Sequence, residues 1–145
     1  MASNSGAVAS VTLTSRSLDR ATSACQEINE KVDRGEVKPR EILSSDHAHE
    51  ALVGAAIVIG CGAAGVELAD EETIRSIDSL KVAIDLNAVP PSGIGGLSVT
   101  DKAKPIGNAV GYGAIGVGGL KMKTHRAAID SLFAANDRVL DANEI

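Results

Sequence analysis

Aromatic side chains are almost absent from this 145-residue chain, which has no tryptophan, one tyrosine (Tyr112) and one phenylalanine (Phe133). Modules that bind RNA or single-stranded DNA stack bases on aromatic rings, so that class of protein is not expected. A net charge of −5 argues against any partner with a phosphate backbone, and hence against nucleic acid. The core has to consist of alanine, valine, isoleucine and leucine, which is typical of helices packed on a buried parallel sheet.

Cysteine and histidine are also scarce. Cys25 and Cys61 form no C-x-x-C pair, which excludes a disulfide framework or a zinc pattern and is typical of a reducing cytosol. We expect Cys61 to be a small packing residue rather than a nucleophile, because no base that could activate its thiol is apparent. His47 and His49 do not share a face of their predicted helix and have no third ligand beside them, so no metal site is predicted.

Long apolar runs are missing as well. No run reaches the roughly 18 residues that a membrane-spanning helix needs. No apolar core precedes Arg16, as it would in a signal peptide. We therefore expect a cytoplasmic protein that does not interact with membranes.

Strands and helices alternate along most of the chain, and the length suits one domain. Strands are predicted at 8–14, 37–43, 55–60 and 81–86, and helices at 18–32, at 45–53, from 70 onwards and at 120–135. This alternation predicts an α/β fold with a parallel sheet. Pro39 either argues against a strand at 37–43 or places that strand at a sheet edge. The continuous apolar run at 55–60 predicts a strand that is buried on both faces.

The first candidate site is the junction formed by Ser15, Arg16 and Ser17, where a strand ends and a helix begins with Ser17 as its predicted N-cap. A guanidinium between two hydroxyls suits a phosphate monoester here, because a helix N-terminus offers N–H groups and partial positive charge. In nucleotide-binding α/β folds an arginine at this place accommodates the 2′-phosphate of NADP, whereas an acidic residue selects NAD. A solvated strand-to-helix turn explains the same residues equally well.

The second candidate site is the segment at 60–65, G-C-G-A-A-G, which follows an apolar strand and matches G-x-G-x-x-G. Asp85 follows about 20 residues later, which is the spacing of a dinucleotide-binding fingerprint. Two features argue against a dinucleotide-binding fingerprint here. Pro90 and Pro91 stand where the next helix should begin. The helix after Gly65 begins with acidic residues, which would repel a pyrophosphate. The alternative interpretation is a glycine-rich crossing loop without a phosphate-binding role of its own. Such a loop still lines a cofactor crevice.

The third candidate is the long segment from Asp85 to Gly96. Long ordered loops in compact domains are usually functional, and glycine lets the backbone approach a ligand closely. Asn87 has the donor and the acceptor needed to bind an amide such as nicotinamide. The alternative is a rigid structural loop that covers the end of the sheet.

Four segments of the chain resemble the methylene-tetrahydromethanopterin dehydrogenase family. They are V-T-L-T-S-R-S-L-D-R-A, A-I-D-L-N-A-V-P-P-S-G-I-G-G-L, T-D-K and G-A-I-G-V-G-G-L-K-M-K-T-H-R-A. The resemblance implies a carboxy-terminal Rossmann-like domain, a parallel sheet with helices on both faces that binds NADP, with NAD as the alternative. It also implies hydride transfer from methylene-tetrahydromethanopterin, or the tetrahydrofolate analogue, to NAD(P)+. The methenyl product belongs to formaldehyde oxidation in one-carbon metabolism.

The resemblance also implies which residues bind the cofactor, although it identifies no catalytic residue. Ser15, Arg16 and Ser17, with Thr14 before them, match the segment for the adenosine ribose phosphate. The loop beside the cofactor is matched by Gly60, Cys61, Gly62 and Ala63. The strand end and the loop near the nicotinamide are matched by Asp85 and Asn87.

The start of the chain departs from that family. Members have an amino-terminal domain that binds the pterin, then a first strand with its own G-x-G-x-x-G helix, and neither is found before Ser15. We therefore expect residues 1–145 to be part of an NAD(P)-binding domain that lacks the first β-α unit and is inactive alone, from a full-length protein that is homo-oligomeric. Two alternatives remain open: another NADP dehydrogenase of similar architecture, and a non-enzymatic remnant or interaction domain with an open sheet edge.

Overall fold

Strands and helices alternate as far as β4 in the computed structural model, which describes residues 10–32, 35–135 and 137. In chain order the elements are β1 (Val11–Ser15), α1 (Leu18–Asn29), β2 (Val37–Glu41), α2 (Ser45–Leu52), β3 (Ile57–Gly60), α3 (Glu71–Ser76), β4 (Val82–Asp85), β5 (Lys102–Ile106), β6 (Ala109–Tyr112) and α4 (Ala114–Ala134). The elements predicted up to residue 86 are present, with bounds that differ by a few residues. Residues 8 and 9 of the first predicted strand lie outside the described residues.

The first three helices begin after residues whose side chains cap them. Ser17, Ser44 and Asp70 each accept a hydrogen bond from the backbone N–H three residues later. Each bond satisfies one of the N–H groups that a helix N-terminus leaves unpaired. The prediction that Ser17 is an N-cap is therefore confirmed.

Helix α1 ends at Asn29 rather than at residue 32. The Asn29 side chain contacts the start of β2: its Nδ2 donates to the carbonyl of Val37 at 3.0 Å and its Oδ1 accepts from the N–H of Val37 at 2.8 Å. Asparagine that bonds to a neighbouring backbone in this way favours the end of a helix over its interior. The same side chain thereby connects α1 to β2.

The strands form two sheets. β1 and β2 pair in parallel, with Ser15 opposite Glu41. The second sheet has the order β3-β4-β6-β5, in which β3, β4 and β6 run parallel and β5 is antiparallel. The predicted α/β class with mainly parallel strands is thus confirmed. Pro39 lies in β2, which pairs with β1 alone among the described strands, so its edge position is confirmed as well.

The main core lies on one face of the second sheet. There buried residues of α2 and α3 form one cluster with the fully buried Ala83 of β4. The largest buried apolar side chains are Ile74, Leu80, Ile94 and Ile106. Aliphatic side chains thus form the whole core, as the composition predicts.

The opposite face of the second sheet is open. Ile57 and Ile59 of β3 are 59% and 54% exposed, and the parallel register continues the row from Ile57 through Val82 to Val110. The prediction that the strand at 55–60 is buried on both faces is therefore wrong. The reason is that α2 and α3 pack on one face, while the described part of the chain leaves the other face exposed.

The glycine-rich stretch at 87–119 contains strands and the start of a helix that the sequence pattern does not predict. It holds the hairpin of β5 and β6, and α4 begins at Ala114 rather than near residue 120. Gly111 illustrates why glycine is needed here, since a Cβ on it would overlap the side chain of Leu97. Gly111 therefore reflects close packing of β6 against the loop that contains Leu97.

Helix α4 is the longest helix, and most of its described side chains are exposed. Its apolar residues include Ile115 and Phe133, which are 63% and 87% exposed. No helix in the ranges 10–32 and 35–135, α4 included, is both long and apolar enough to cross a bilayer.

Candidate functional site

A cleft of about 750 Å³ lies where β1, β2 and β3 end and where α1, α2 and α3 begin. Its lining includes residues 14–17 and residues 61–63, which are far apart in the sequence. The structure therefore brings the first two candidate sites together at one place. In open α/β folds this place, outside the carboxyl ends of the strands, is where ligands bind.

The start of α1 forms a basic wall of the cleft. Arg16 and Arg20 both line it and are exposed, with the hydroxyl-bearing Ser15 and Ser17 beside them. Within the described residues neither guanidinium takes part in an ion pair. Both are therefore available to a negatively charged ligand, and arginine suits a phosphate because of its planar set of donors.

The backbone N–H groups at the same helix end are largely satisfied already. Ser17 N donates to Ser15 Oγ at 3.2 Å, Leu18 N donates to Glu41 Oε1 at 3.2 Å, and Arg20 N donates to Ser17 Oγ at 3.4 Å. A phosphate could use these three N–H groups only by displacing a hydroxyl or a carboxylate. Attraction for an anion at this wall therefore comes from the two arginines more than from the backbone.

The connection between β3 and α3 forms an acidic wall of the cleft, which contains Glu67 and Asp70. Asp70 Oδ1 accepts from the backbone N–H of Thr73 at 2.7 Å. That bond, together with bonds to the side chains of Thr73 and Ser45, holds the pKa of Asp70 below its ordinary value of 3.8. Asp70 is thus ionised at neutral pH and connects α3 to the start of α2.

Gly60 and Gly62 make room for other parts of the chain. A Cβ on Gly60 would lie 3.1 Å from Ile94 Cγ1 and 3.2 Å from Asp85 Oδ1, and a Cβ on Gly62 would lie 2.9 Å from the Leu68 side chain. These glycines therefore serve internal packing beside the cleft. This favours a crossing loop over a pyrophosphate-binding fingerprint for the G-x-G-x-x-G segment.

Asp85 is buried, with 2% of its surface exposed, and it does not line the cleft. Its Oδ1 accepts from the N–H of Asn87 at 3.0 Å and its Oδ2 accepts from the N–H of Ile94 at 3.2 Å. A Cβ on Gly93 would lie only 2.9 Å from Oδ1. The carboxylate therefore holds the loop after β4 closed on itself.

Asn87 is also buried and lies outside the cleft lining. Its Nδ2 donates to the carbonyl of Ala63 at 3.0 Å, which joins the loop after β4 to the loop after β3. Backbone bonds from Leu68 N to the Gly93 carbonyl and from Gly95 N to the Ala69 carbonyl join the same two loops. Asn87 thus stabilises the loop after β3, which lines the cleft, although Asn87 itself does not line it.

Cys61 is exposed and lines the cleft, whereas Cys25 is buried in α1. The expectation that Cys61 is a packing residue is wrong, because β3 ends at Gly60 and its next residue lies outside the sheet. His47 Nδ1 accepts from the N–H of Leu43 at 3.3 Å. Among the described residues, no group of three or more His, Cys, Asp and Glu side chains could hold a metal ion.

Sequence reasoning missed the parts of the cleft that come from α1, the β2–α2 connection and the β3–α3 connection. The missed lining residues are Arg20, Ile42, Leu43, Ser44, Ser45, Ile59, Val66, Glu67, Leu68, Ala69 and Asp70. A serine pair directly after a predicted strand is a helix-start pattern, and it could have placed the start of α2 at this edge. The contribution of residues 66–70 depends on how the two loops pack and has no local pattern.

Mostly parallel strands, with a cleft where strands end and helices begin, define the class of α/β proteins that bind ligands at the carboxyl edge of the sheet. No protein-family model matches the chain. It is 40% identical over 137 residues to the bifunctional protein MdtA of Methylorubrum extorquens, covering 94% of this chain and 47% of that protein.

A second relative is the NAD(P)-dependent methylenetetrahydromethanopterin dehydrogenase of the same organism. The identity is 42% over 89 residues, which covers 60% of this chain and 30% of the relative. This relative belongs to the family that the sequence segments resemble, and the similarity supports that resemblance. The chain spans about half the length of the first relative and less than a third of the second.

Proposed function

We propose that this chain forms the NADP-binding part of a methylene-tetrahydromethanopterin, or methylene-tetrahydrofolate, dehydrogenase. In the proposed reaction a hydride moves from the methylene bridge of the pterin to NAD(P)+, and the methenyl form is produced. The observation that carries the proposal is the cleft that Arg16 and Arg20 line together with the loop after β3, both arginines being without an ion pair among the described residues. The two relatives, one of them an NAD(P)-dependent dehydrogenase, support it.

The adenosine end of the cofactor fits the chemistry of the cleft. Its volume of about 750 Å³ is within the range of small-molecule sites, about 300–1,000 Å³. We assign the 2′-phosphate to the basic wall, where Arg16 can donate a pair of hydrogen bonds and the hydroxyls of Ser15 and Ser17 can donate further ones. The acidic wall is suited to hydroxyl and amino donors of the nucleoside.

The nicotinamide end is proposed to lie towards the loop after β4. When bound, the cofactor supplies the hydride acceptor, and the protein binds and orients it. Asp85 and Asn87 act there as positioning residues, because their bonds fix the loop while neither lines the cleft. The pterin is proposed to bind outside the cleft described above.

Replacing Arg16 with alanine tests the assignment of the 2′-phosphate. A charge-assisted hydrogen-bonding contact contributes about 1.5–3 kcal/mol, so Arg16→Ala should lower the affinity for NADP by about tenfold or more. The affinity for NAD, which has no 2′-phosphate, should change little. Isothermal titration calorimetry of both proteins with both cofactors measures the effect.

Arg75→Ala is the matched control for that experiment. Arg75 is an exposed arginine of α3 that pairs with Glu71 and does not line the cleft. Its removal should leave the preference for NADP intact. Equal affinities of the unaltered protein for NADP and NAD, or a preference that persists in Arg16→Ala, would contradict the assignment.

A further inference from the structure

Glu41 ends β2 at the very turn to which we assign the 2′-phosphate. The parallel register places it opposite Ser15, and the ladder continues with the N–H of Ile42 donating to the Ser15 carbonyl at 2.9 Å. The Glu41 carboxylate accepts from the N–H of Leu18 at 3.2 Å, which is in the first turn of α1. A negative charge is therefore fixed at the same helix end as Arg16.

We propose that Glu41 determines how strongly the cleft discriminates between an adenosine 2′-phosphate and a free ribose 2′-hydroxyl. The inference rests on the proposed function and concerns the selectivity of the same site. Glu41 does not line the cleft, so it acts through its charge and through the N–H group that it occupies. It is a selectivity residue, not a catalytic one.

The charge of Glu41 opposes phosphate binding in two ways. It repels a phosphate, which carries up to two negative charges, at a helix end where its own bond already uses one N–H group. It also offsets part of the positive potential that the helix end would offer to an anion. A ribose with a free 2′-hydroxyl carries no charge and is not affected in the same way.

Other groups also stabilise the start of α1, so we expect the helix to form without this charge. Ser17 caps α1 through the N–H of Arg20, and Asp19 supplies an acidic side chain in the first turn. Glutamine at position 41 keeps the shape of the side chain and an oxygen that accepts from the N–H of Leu18. Glu41→Gln therefore removes the charge while it keeps the hydrogen bond.

The experiment compares two ligands that differ only in the 2′-phosphate, adenosine 2′,5′-bisphosphate and adenosine 5′-monophosphate. Calorimetric titration of Glu41→Gln should show an affinity for the bisphosphate about three- to tenfold higher than in the unaltered protein. The affinity for the monophosphate should change less than twofold. The gain should shrink as salt is raised towards about 1 M, because screening weakens the repulsion.

Glu36→Gln is the control, since Glu36 precedes the opposite end of β2 and pairs with Lys38. It should leave both affinities unchanged. If both ligands bind and Glu41→Gln leaves their affinity ratio unchanged, the role of Glu41 is overturned while the proposed function stands. If neither protein binds the bisphosphate more tightly than the monophosphate, the proposed phosphate site fails, and the inference about Glu41 fails with it.

Discussion

At the scale of single residues, the cleft combines side chains that the sequence identifies with side chains that it does not. Arg16 stands out in the sequence because two serines flank it at a strand end. Glu41 does not stand out, because its relation to Arg16 arises from the pairing of β1 with β2. The same charge would be an ordinary surface carboxylate if the two strands were not neighbours.

Cys61 gives a direct readout of ligand binding at the residue scale. Its thiol is exposed in the cleft, so it should react readily with a thiol reagent such as dithionitrobenzoate, while the buried Cys25 should react only after unfolding. Saturating NADP should slow the reaction of Cys61 severalfold, because the bound cofactor covers it. The rate of thionitrobenzoate release measures the effect.

Cys61→Ser provides the control for the labelling experiment. The fast phase should disappear in this variant, since serine does not react. Calorimetry first has to show that the protein binds NADP. If bound NADP then fails to slow the reaction of Cys61, the cofactor lies away from residues 61–63.

At the scale of elements, side chains cap the first three helices, and the cap of α3 makes stability depend on pH. The bonds from the backbone and side chain of Thr73 and from Ser45 lower the pKa of Asp70 below 3.8, so the folded state binds its proton less readily than the unfolded chain does. The stability that these bonds contribute is therefore fully present above about pH 4 and is lost as the pH falls through the lowered pKa.

Asp70→Asn tests this dependence. Urea unfolding should show the variant less stable than the unaltered protein at pH 7, with a difference that shrinks as the pH falls below about 3.8. Glu72→Gln, also in the first turn of α3, should not reproduce the change because it leaves the bonds of Asp70 in place. If the difference in the free energy of unfolding between the two proteins stays constant from pH 7 to below pH 3.8, the hydrogen bonds of Asp70 are not the cause of the pH dependence.

At the scale of the whole molecule, one face of the second sheet is packed and the other is open. Ile74 is 1% exposed in the core, whereas Ile57 is 59% exposed on the open face. Ile74→Ala should therefore cost about 2–5 kcal/mol in the free energy of unfolding, because it leaves a cavity. Ile57→Ala should cost less than about 1 kcal/mol, because most of its surface already contacts solvent.

Urea denaturation of the two isoleucine variants measures this contrast. Because both substitutions remove the same atoms, the difference reports burial rather than side-chain chemistry. Costs of equal size would mean that the open face is covered in solution.

The residue types along the chain, by themselves, determine where strands and helices form up to residue 86, that Ser17 caps α1, and that polar groups follow β1. These features follow from apolar periodicity and capping, which act over a few neighbouring residues. Only the tertiary structure shows that the turn at Ser15 and the loop after Gly60 line one cleft. It also shows that the Asp85 side chain is buried and holds the loop after β4. The bond between Glu41 and Leu18, which are 23 positions apart, is a third such feature. The tertiary structure also decides that one face of β3 stays open. These features depend on contacts between segments distant in sequence, and no local pattern encodes which strand ends become neighbours.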